Sequence, residues 1–324
     1  MTDQPALHPD RNLAMELVRA TEAAAIRAYP FIGKGDKNAA DGAAVDAMRA
    51  FLGTVNFEGL VVIGEGEKDD APMLFNGELV GTGQGPKVDI AVDPIDGTSL
   101  TAAGRQNAIS VIAVADRGSM LDASAVYKMK KLVVGPEGRD VCDIRKPLGE
   151  NIKAYAKATG KAVDEVLVAI LDREYNADLI DEVRSVGAAT RLLRDGDVAG
   201  GIQAARQDSR IDMCVGIGGS PEGIVTACGI KALGGLIQGI LAPREDFEIE
   251  RGEAAGLKFD YVYEMDEMVA SDNTFFVATG VTDGALLSGV RKRGGLVTTE
   301  SIVIRGRSGT VRKVFAEYQA DRWI

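Results

Sequence analysis

The sequence predicts an α/β protein, with an α+β first half and an α/β second half. Three observations carry that prediction. Two helix-like amphipathic stretches precede a series of strand-like runs; after about residue 167 apolar strand-like runs alternate with helix-like ones; glycine-rich turns separate the elements. At 324 residues the chain has room for one large domain or two modest ones. The change of pattern favours two, residues 1–160 and 161–324, the first carrying most of the chemistry-bearing acids.

Taken in order, Leu13, Leu17, Ala24, Ala25 and Ala28 recur at helical spacing, with Asp10 as the expected cap and Tyr29-Pro30 as the stop. The loop GKGDKNAADG, residues 33–42, leads into a second helix with Val45, Met48, Phe51 and Leu52 on one face. The apolar run at residues 60–63 breaks into GEGEKDD. Val88, Ile90 and Val92 then alternate with smaller or polar residues as a half-buried strand should. Further strands are expected near 108–115 and 131–134. In the second half LVAIL at 167–171 is a continuous apolar run, a helix pattern covers roughly 176–186, and IDMCV at 211–215 precedes the turn GIGGSPEG. Such alternation predicts a parallel sheet. Ser220 is expected as the N-cap of the next helix, with Pro221 at its first position. The apolar run 223–242 is interrupted by Lys231 and Gln238, which argues for a buried core element rather than a membrane span. The last strands, FFVATG and the hairpin SIVIRGRSGTVRKVF, could join either half.

Charge and residue usage narrow the chemistry. With 48 Asp+Glu against 37 Lys+Arg the formal charge is -11, which argues against nucleic acid or an anionic membrane as partner. A bound phosphate therefore needs local cations, backbone amides or metal ions. Cys142, Cys214 and Cys228 lack framework spacing and predict buried, reduced thiols of a cytoplasmic protein. The opening MTDQPALHPD has neither a basic nor an apolar region of the kind an export signal uses. Since His8 is the only histidine, a serine or cysteine triad would depend on it, and a zinc site would lack its usual ligands. Acidic residues must carry the chemistry.

Those acids stand at strand ends and helix starts. Glu65 and Glu67 follow LVVI; Asp93 and Asp96 follow VDIAV; Asp41 is expected in the first turn of the second helix and Glu222 at the start of a later one. Singly, each has an ordinary explanation as a solvated or dipole-complementing charge. Together they form an oxygen-only donor set of the kind that selects hard divalent cations such as Mg²⁺ or Mn²⁺. In DPIDGT, proline stiffens the bend, the amides around Gly97 can approach a phosphate, and Thr98 offers a hydroxyl to orient water. Metal-assisted phosphoester hydrolysis needs such parts and no histidine.

DPIDGT after an apolar strand, with GEGE upstream, resembles the lithium-sensitive sugar and inositol phosphatase superfamily. The longer blocks GKGDKNAADGAAVDAMR, VVIGEGEKDDAPML, AVDPIDGTSLTA, GIGGSPEG, SDNTFFVATGVTDG and TTESIVIRGRS, in that order from Arg11 to Phe315, resemble the class II fructose-1,6-bisphosphatase family. The resemblance implies a layered αβαβα sandwich. It places metal ligands at Asp41, Glu65, Asp93, Asp96 and Glu222, the catalytic threonine at Thr98 and a loop lysine near the site at Lys37. Substrate contacts fall on Asp96, Gly97, Thr98, Asp195, Gly196, Asp197 and Gly219. Two segments depart from the family pattern. In Tyr127-Lys128-Met129-Lys130-Lys131-Leu132 either Tyr127 or Lys128 takes the phosphate-contact place. Arg173-Glu174-Tyr175 stands where the family often carries basic-Pro-Arg, which touches the distal phosphate.

The resemblance further implies hydrolysis of the 1-phosphate of fructose 1,6-bisphosphate, a gluconeogenic step, in a homo-oligomer, with sedoheptulose 1,7-bisphosphate as a second candidate substrate. Three rivals stand beside it. An inositol-type monophosphatase shares only DPIDGT. A nucleotide-dependent dehydrogenase would use Gly216-Ile217-Gly218-Gly219, but Pro221 occupies a glycine place of that fingerprint. A non-catalytic sugar-phosphate sensor on the same fold is the third.

Overall fold

The computed structural model describes residues 13–65 and 74–322; Asp10, His8 and Glu67 lie outside them. Helix α1 (Ala14–Ala28) starts at Leu13 without a side-chain cap, whereas α2 (Lys37–Leu52) is capped by Asp36, whose carboxylate accepts the Ala39 N–H at 3.0 Å. There follow β1 (Glu58–Ile63), β2 (Leu79–Val80), β3 (Lys87–Asp96), the short α3 (Thr98–Ala102) and β4 (Ile109–Asp116). The middle of the chain forms β5 (Lys128–Val134), α4 (Leu148–Thr159), β6 (Leu167–Leu171), α5 (Ala177–Ser185), β7 (Ala189–Leu193), α6 (Val198–Ala204) and β8 (Met213–Gly219). Next come α7 (Ser220–Leu233), β9 (Leu236–Leu241), α8 (Asp246–Ala254), β10 (Tyr263–Glu264) and α9 (Met265–Met268). Strands β11 (Phe275–Gly280), β12 (Arg291–Arg293), β13 (Leu296–Arg305) and β14 (Thr310–Gln319) close the chain.

Two sheets result. The first runs β12-β13-β11-β4-β3-β1-β2 with β14 on β13; the second runs β10-β9-β5-β8-β6-β7. Period-two alternation gives each sheet two buried faces. On the first sheet Ile90, Ile112, Val277 and Val303 pack beneath α1 and α2, while Ala91, Val111, Ala113, Phe276 and Ile302 face the molecular centre. On the second sheet Met129, Val133, Ala169 and Cys214 face that same centre, whereas Leu132, Val134, Val168 and Ile170 pack beneath α4 and α5. Helices α6 and α7, through Ile202, Ile224 and Cys228, fill the space between the sheets. The layers are thus α, β, α, β, α, as the resemblance implies. Helix α7 is apolar all round because it is sandwiched.

Several sequence expectations shift. The second sheet is mixed: β6 pairs in parallel with β7 and β8, but β5 is antiparallel to β8 and β9. Strand β5, on the first-half side of the expected boundary at 160, lies in the middle of the second sheet, and β11–β14 return to the first. The two halves therefore exchange strands. Helix α2 begins at Lys37, so Asp41 falls in its second turn. Helix α7 begins at Ser220 with Gly219 as N-cap, one residue earlier than expected. The terminal hairpin forms as read, with Arg305 opposite Thr310. Among the described residues no helix is long and apolar enough to cross a membrane, and Cys142, Cys214 and Cys228 are buried and free.

Candidate active site

Strand direction gathers the acids. Strands β1 and β3 are parallel neighbours, with Ile63 opposite Ala91, so their carboxyl ends reach the same rim and bring Glu65 beside Asp93. In the second sheet β6, β7 and β8 run in one direction, so the segments after them carry Arg173, Asp195-Gly196-Asp197 and Glu222 to a common rim. Because β5 runs the other way, it is its first residue, Lys128, that meets this rim, opposite Gly219. The result is a cleft of about 330 Å³ between the two sheets.

The stretch DPIDGT is not a free bend but the irregular end of β3 running into Gly97. The Asp93 carboxylate accepts the Ile95 N–H at 3.0 Å, and the β3–β4 register slips between Asp93 and Asp96. Gly97, at φ +95°, turns the chain into α3, with Thr98 at its first position. The Thr98 side chain has no hydrogen bond among the described residues and lines the cleft. The loop before α2 docks here too: the Gly33 and Gly35 N–H groups donate to the carbonyls of Thr101 and Ala102, both at 2.9 Å, which sets Lys37 and Asp41 against this stretch.

Of the residues expected from the sequence, Lys37, Asp41, Glu65, Asp93, Asp96, Gly97, Thr98, Lys128, Arg173, Tyr175, Asp195, Gly196, Asp197, Gly219 and Glu222 all line this one cleft. Tyr127 and Glu174 do not. The Tyr127 ring turns away to an edge contact with Phe247, because neighbours on an extended chain point to opposite sides; Lys128 takes the inward place. Glu174 is exposed, at the start of a single 3-10 turn (Glu174–Asn176), while Arg173 and Tyr175 line the cleft.

The similarity of the whole chain to known proteins can now be set beside this geometry. A family model described as bacterial fructose-1,6-bisphosphatase, glpX-encoded, matches residues 11–318. The chain belongs to that family. A class 2 fructose-1,6-bisphosphatase of Escherichia coli K12 is 45% identical over 325 residues, covering 96% of either chain. The fructose-1,6-bisphosphatase class 2 of Shigella flexneri gives the same figures. Among solved structures, an extragenic suppressor from Pyrococcus furiosus is 15% identical with a TM-score of 0.28, covering 59% of this chain and 68% of that one, a likeness too slight to bear on the fold.

In this fructose-1,6-bisphosphatase chain the acids of the cleft strain against one another. Burial raises the Asp93 pKa well above the ordinary carboxylate value, reinforced by the charges of Asp96, Glu65, Glu222 and Asp41. Asp96 is raised in the same way, by burial and then by Asp197, Glu222 and Asp195. Burial also raises Glu222, and Lys131 opposes that rise. The Oε2 atom of Glu222 is buried with no hydrogen-bond partner among the described residues. Among those residues no three acidic, cysteine or histidine side chains already form a metal cluster. The fit to a divalent cation therefore rests on the all-oxygen donor set and on the unpartnered Glu222 oxygen, and both suit it.

Four residues escaped the sequence reading. Lys131 is 6% exposed; its Nζ lies 2.6 Å from Asp197 Oδ2 and donates to the Gly219 carbonyl at 3.0 Å. Burial works against its ammonium, but Asp197 and Glu222 outweigh burial and its pKa is raised. Its signal was present: it shares the inward face of β5 with Met129 and Val133, where a charge needs a buried partner. Ser99 donates its hydroxyl to Asp195, which Arg173 also holds at 3.2 Å. Asp195 thus faces the cleft already holding Ser99 and Arg173, and Asp197 already holding Lys131 through Oδ2. Arg244 lies 4.0 Å over the Tyr175 ring, and Asn38 lines the cleft beside Lys37. No local pattern marks these two.

Proposed function

We propose that the cleft hydrolyses the 1-phosphate of fructose 1,6-bisphosphate, giving fructose 6-phosphate and inorganic phosphate, with Mg²⁺ or Mn²⁺ held by Asp41, Glu65, Asp93, Asp96 and Glu222. That the chain is a phosphatase acting on fructose 1,6-bisphosphate follows from its family and relatives. The observation that supports this assignment of roles is the meeting of all five acids, Thr98 and the cations Lys37, Lys128 and Arg173 around one cleft. A bound divalent cation polarises phosphoryl oxygens and makes water a stronger nucleophile. The chain's own groups do the rest. Thr98 orients the attacking water; the water's proton passes to a cleft carboxylate, and the sugar O1 leaves protonated as its bond to phosphorus breaks. Lys37 offers an ammonium to the phosphoryl group, and Lys128 and Arg173 bind the distal phosphate as charge-assisted donors. Asp96, Gly97, Asp195, Gly196, Asp197 and Gly219 shape the sugar pocket.

We also read the enzyme as a cytoplasmic homo-oligomer working in gluconeogenesis. Three buried free thiols suit a reducing compartment, and Phe315, 66% exposed on the edge strand β14, offers an apolar contact to a second copy. Elution at the mass of a single chain would refute the oligomer. For the reaction, phosphate release is measured from fructose 1,6-bisphosphate, sedoheptulose 1,7-bisphosphate and inositol 1-phosphate, each with Mg²⁺, Mn²⁺ or chelator. Metal-dependent release from the fructose substrate is expected, and its ratio to sedoheptulose 1,7-bisphosphate reports the distal pocket. Release that persists undiminished in chelator would overturn the metal assignment.

A further inference from the structure

A second cavity, of about 390 Å³, opens on the other side of α6. Its charge is opposite to that of the chain as a whole. Among its lining residues four are cationic, Arg191, Arg206, Arg210 and Lys313, against the single acid Asp208. Asp208 is taken by Arg206 through two hydrogen bonds, and Lys313 reaches Glu300 only at 3.7 Å. The side chains of Arg191 and Arg210 have no hydrogen bond or ion pair among the described residues. The cations come from three places: Arg191 from β7, Arg206 and Arg210 from the loop before β8, and Lys313 from β14 of the other sheet. Leu193, Ile211 and Leu286 add an apolar wall.

In a chain of charge -11, two unpaired guanidiniums beside an apolar wall describe a receptor for a small anion with an apolar body. Guanidinium forks match phosphate oxygens in pairs. The cavity is also connected to the catalytic cleft. Gly196 lines both. Helix α6, which supplies Ala199 and Gly200 to the second cavity, starts directly after Asp197; its Val198 N–H donates to Asp96 Oδ2 at 3.3 Å and its Gly201 N–H to the Asp197 carbonyl at 2.9 Å. A ligand that presses on Ala199 and Gly200 therefore bears on Asp96 and on the Asp195–Asp197 turn.

We propose that this cavity is an effector site for a small phosphorylated molecule with an apolar or planar body, coupled to the catalytic cleft through α6. Coupling of this kind requires that the ligand favour one position of α6 over another, and the effect is then reciprocal.

The probe is phenylphosphonate, which carries the phosphoryl oxygens and a planar body but cannot be hydrolysed as a phosphate ester. Calorimetry is run first on chelated protein, in which the five carboxylates of the catalytic cleft repel an anion. Binding with a Kd of about 1 mM or below is expected, and the Arg191→Gln/Arg210→Gln double variant should weaken it about tenfold or more. Both side chains are exposed, so the variant folds and keeps its basal turnover. In the Mg²⁺-loaded enzyme at saturating fructose 1,6-bisphosphate, phenylphosphonate should change kcat by about twofold or more, and the double variant should not respond. Three results would each overturn the proposal: no binding to the chelated protein, binding that Lys128→Ala abolishes while the double variant keeps it, or arginine-dependent binding with kcat unmoved. The calorimetric arm needs no turnover, so it remains decisive even if the assignment of the catalytic cleft fails.

Discussion

Lys131→Met tests how the rim of the second sheet is held at the cleft. The substitution keeps the length of the side chain and removes one charge from a site where both partners are buried, Lys131 at 6% and Asp197 at 9% exposure. At 2.6 Å the pair attracts by about 6 kcal/mol for an effective dielectric of about 20. The cost of stripping water from the ammonium offsets part of this. What remains after the substitution is an uncompensated Asp197 with Glu222 close behind it, and removing one member of such a buried pair costs about 3–5 kcal/mol. Urea unfolding in chelator, followed by circular dichroism, should therefore show a midpoint lower by about 1 M. Added Mg²⁺ should return part of the loss, because a cation among the carboxylates replaces the missing charge. A loss below about 1 kcal/mol in chelator would refute the reasoning, since that is the worth of a solvated surface pair.

Thr98→Ala should lower kcat about 100-fold to 10 000-fold with little change in KM, as expected for a group that positions the water for loss of its proton in the transition state; steady-state kinetics that showed full turnover would remove Thr98 from the mechanism. Gly196→Ala places a methyl within 2.9–3.0 Å of the Asp96 carboxylate atoms at a φ of +65°, and should reduce kcat/KM about 100-fold, while an unchanged value would show that Asp96 can yield without loss. Glu22, buried under β13 and accepting from Thr299 at 2.7 Å, has its pKa raised by burial, with the Tyr318 and Thr299 hydroxyls opposing. The folded state therefore holds the Glu22 proton to higher pH than the unfolded state does, so its contribution is fully present below the unfolded value and is lost as pH rises through the folded one. Glu22→Gln should flatten the pH dependence of unfolding just above the ordinary carboxylate range, and an unaltered slope would refute the assignment.

Local pattern determined much of this protein. The glycine turn at 97 and the apolar run at 223–242, which gives α7 and β9, depend only on near neighbours and formed where their residues favour them. Strand β3, by contrast, runs on past Asp93-Pro94 to Asp96 and is buried on both faces rather than half-buried, because layers pack on either side of its sheet. The site was legible for a related reason: acids that are ordinary singly recur together at strand ends and helix starts, and DPIDGT sets two of them beside Gly97 and Thr98 within six residues. Pairing partners were decided only by the tertiary structure. Nothing local to KMKKLVV says that β5 crosses to the other sheet, or that FFVATG returns from α9 to pair with β4. Sheet neighbours are chosen by burial over the whole chain, and a strand offers the same hydrogen bonds to either sheet. That choice also settled side-chain roles. Lys131 finds its partners in β8 and the turn after β7, Ser99 in that same turn, and Arg244 in the segment after β6, so that Asp197 and Asp195 reach the cleft already holding Lys131 and Ser99.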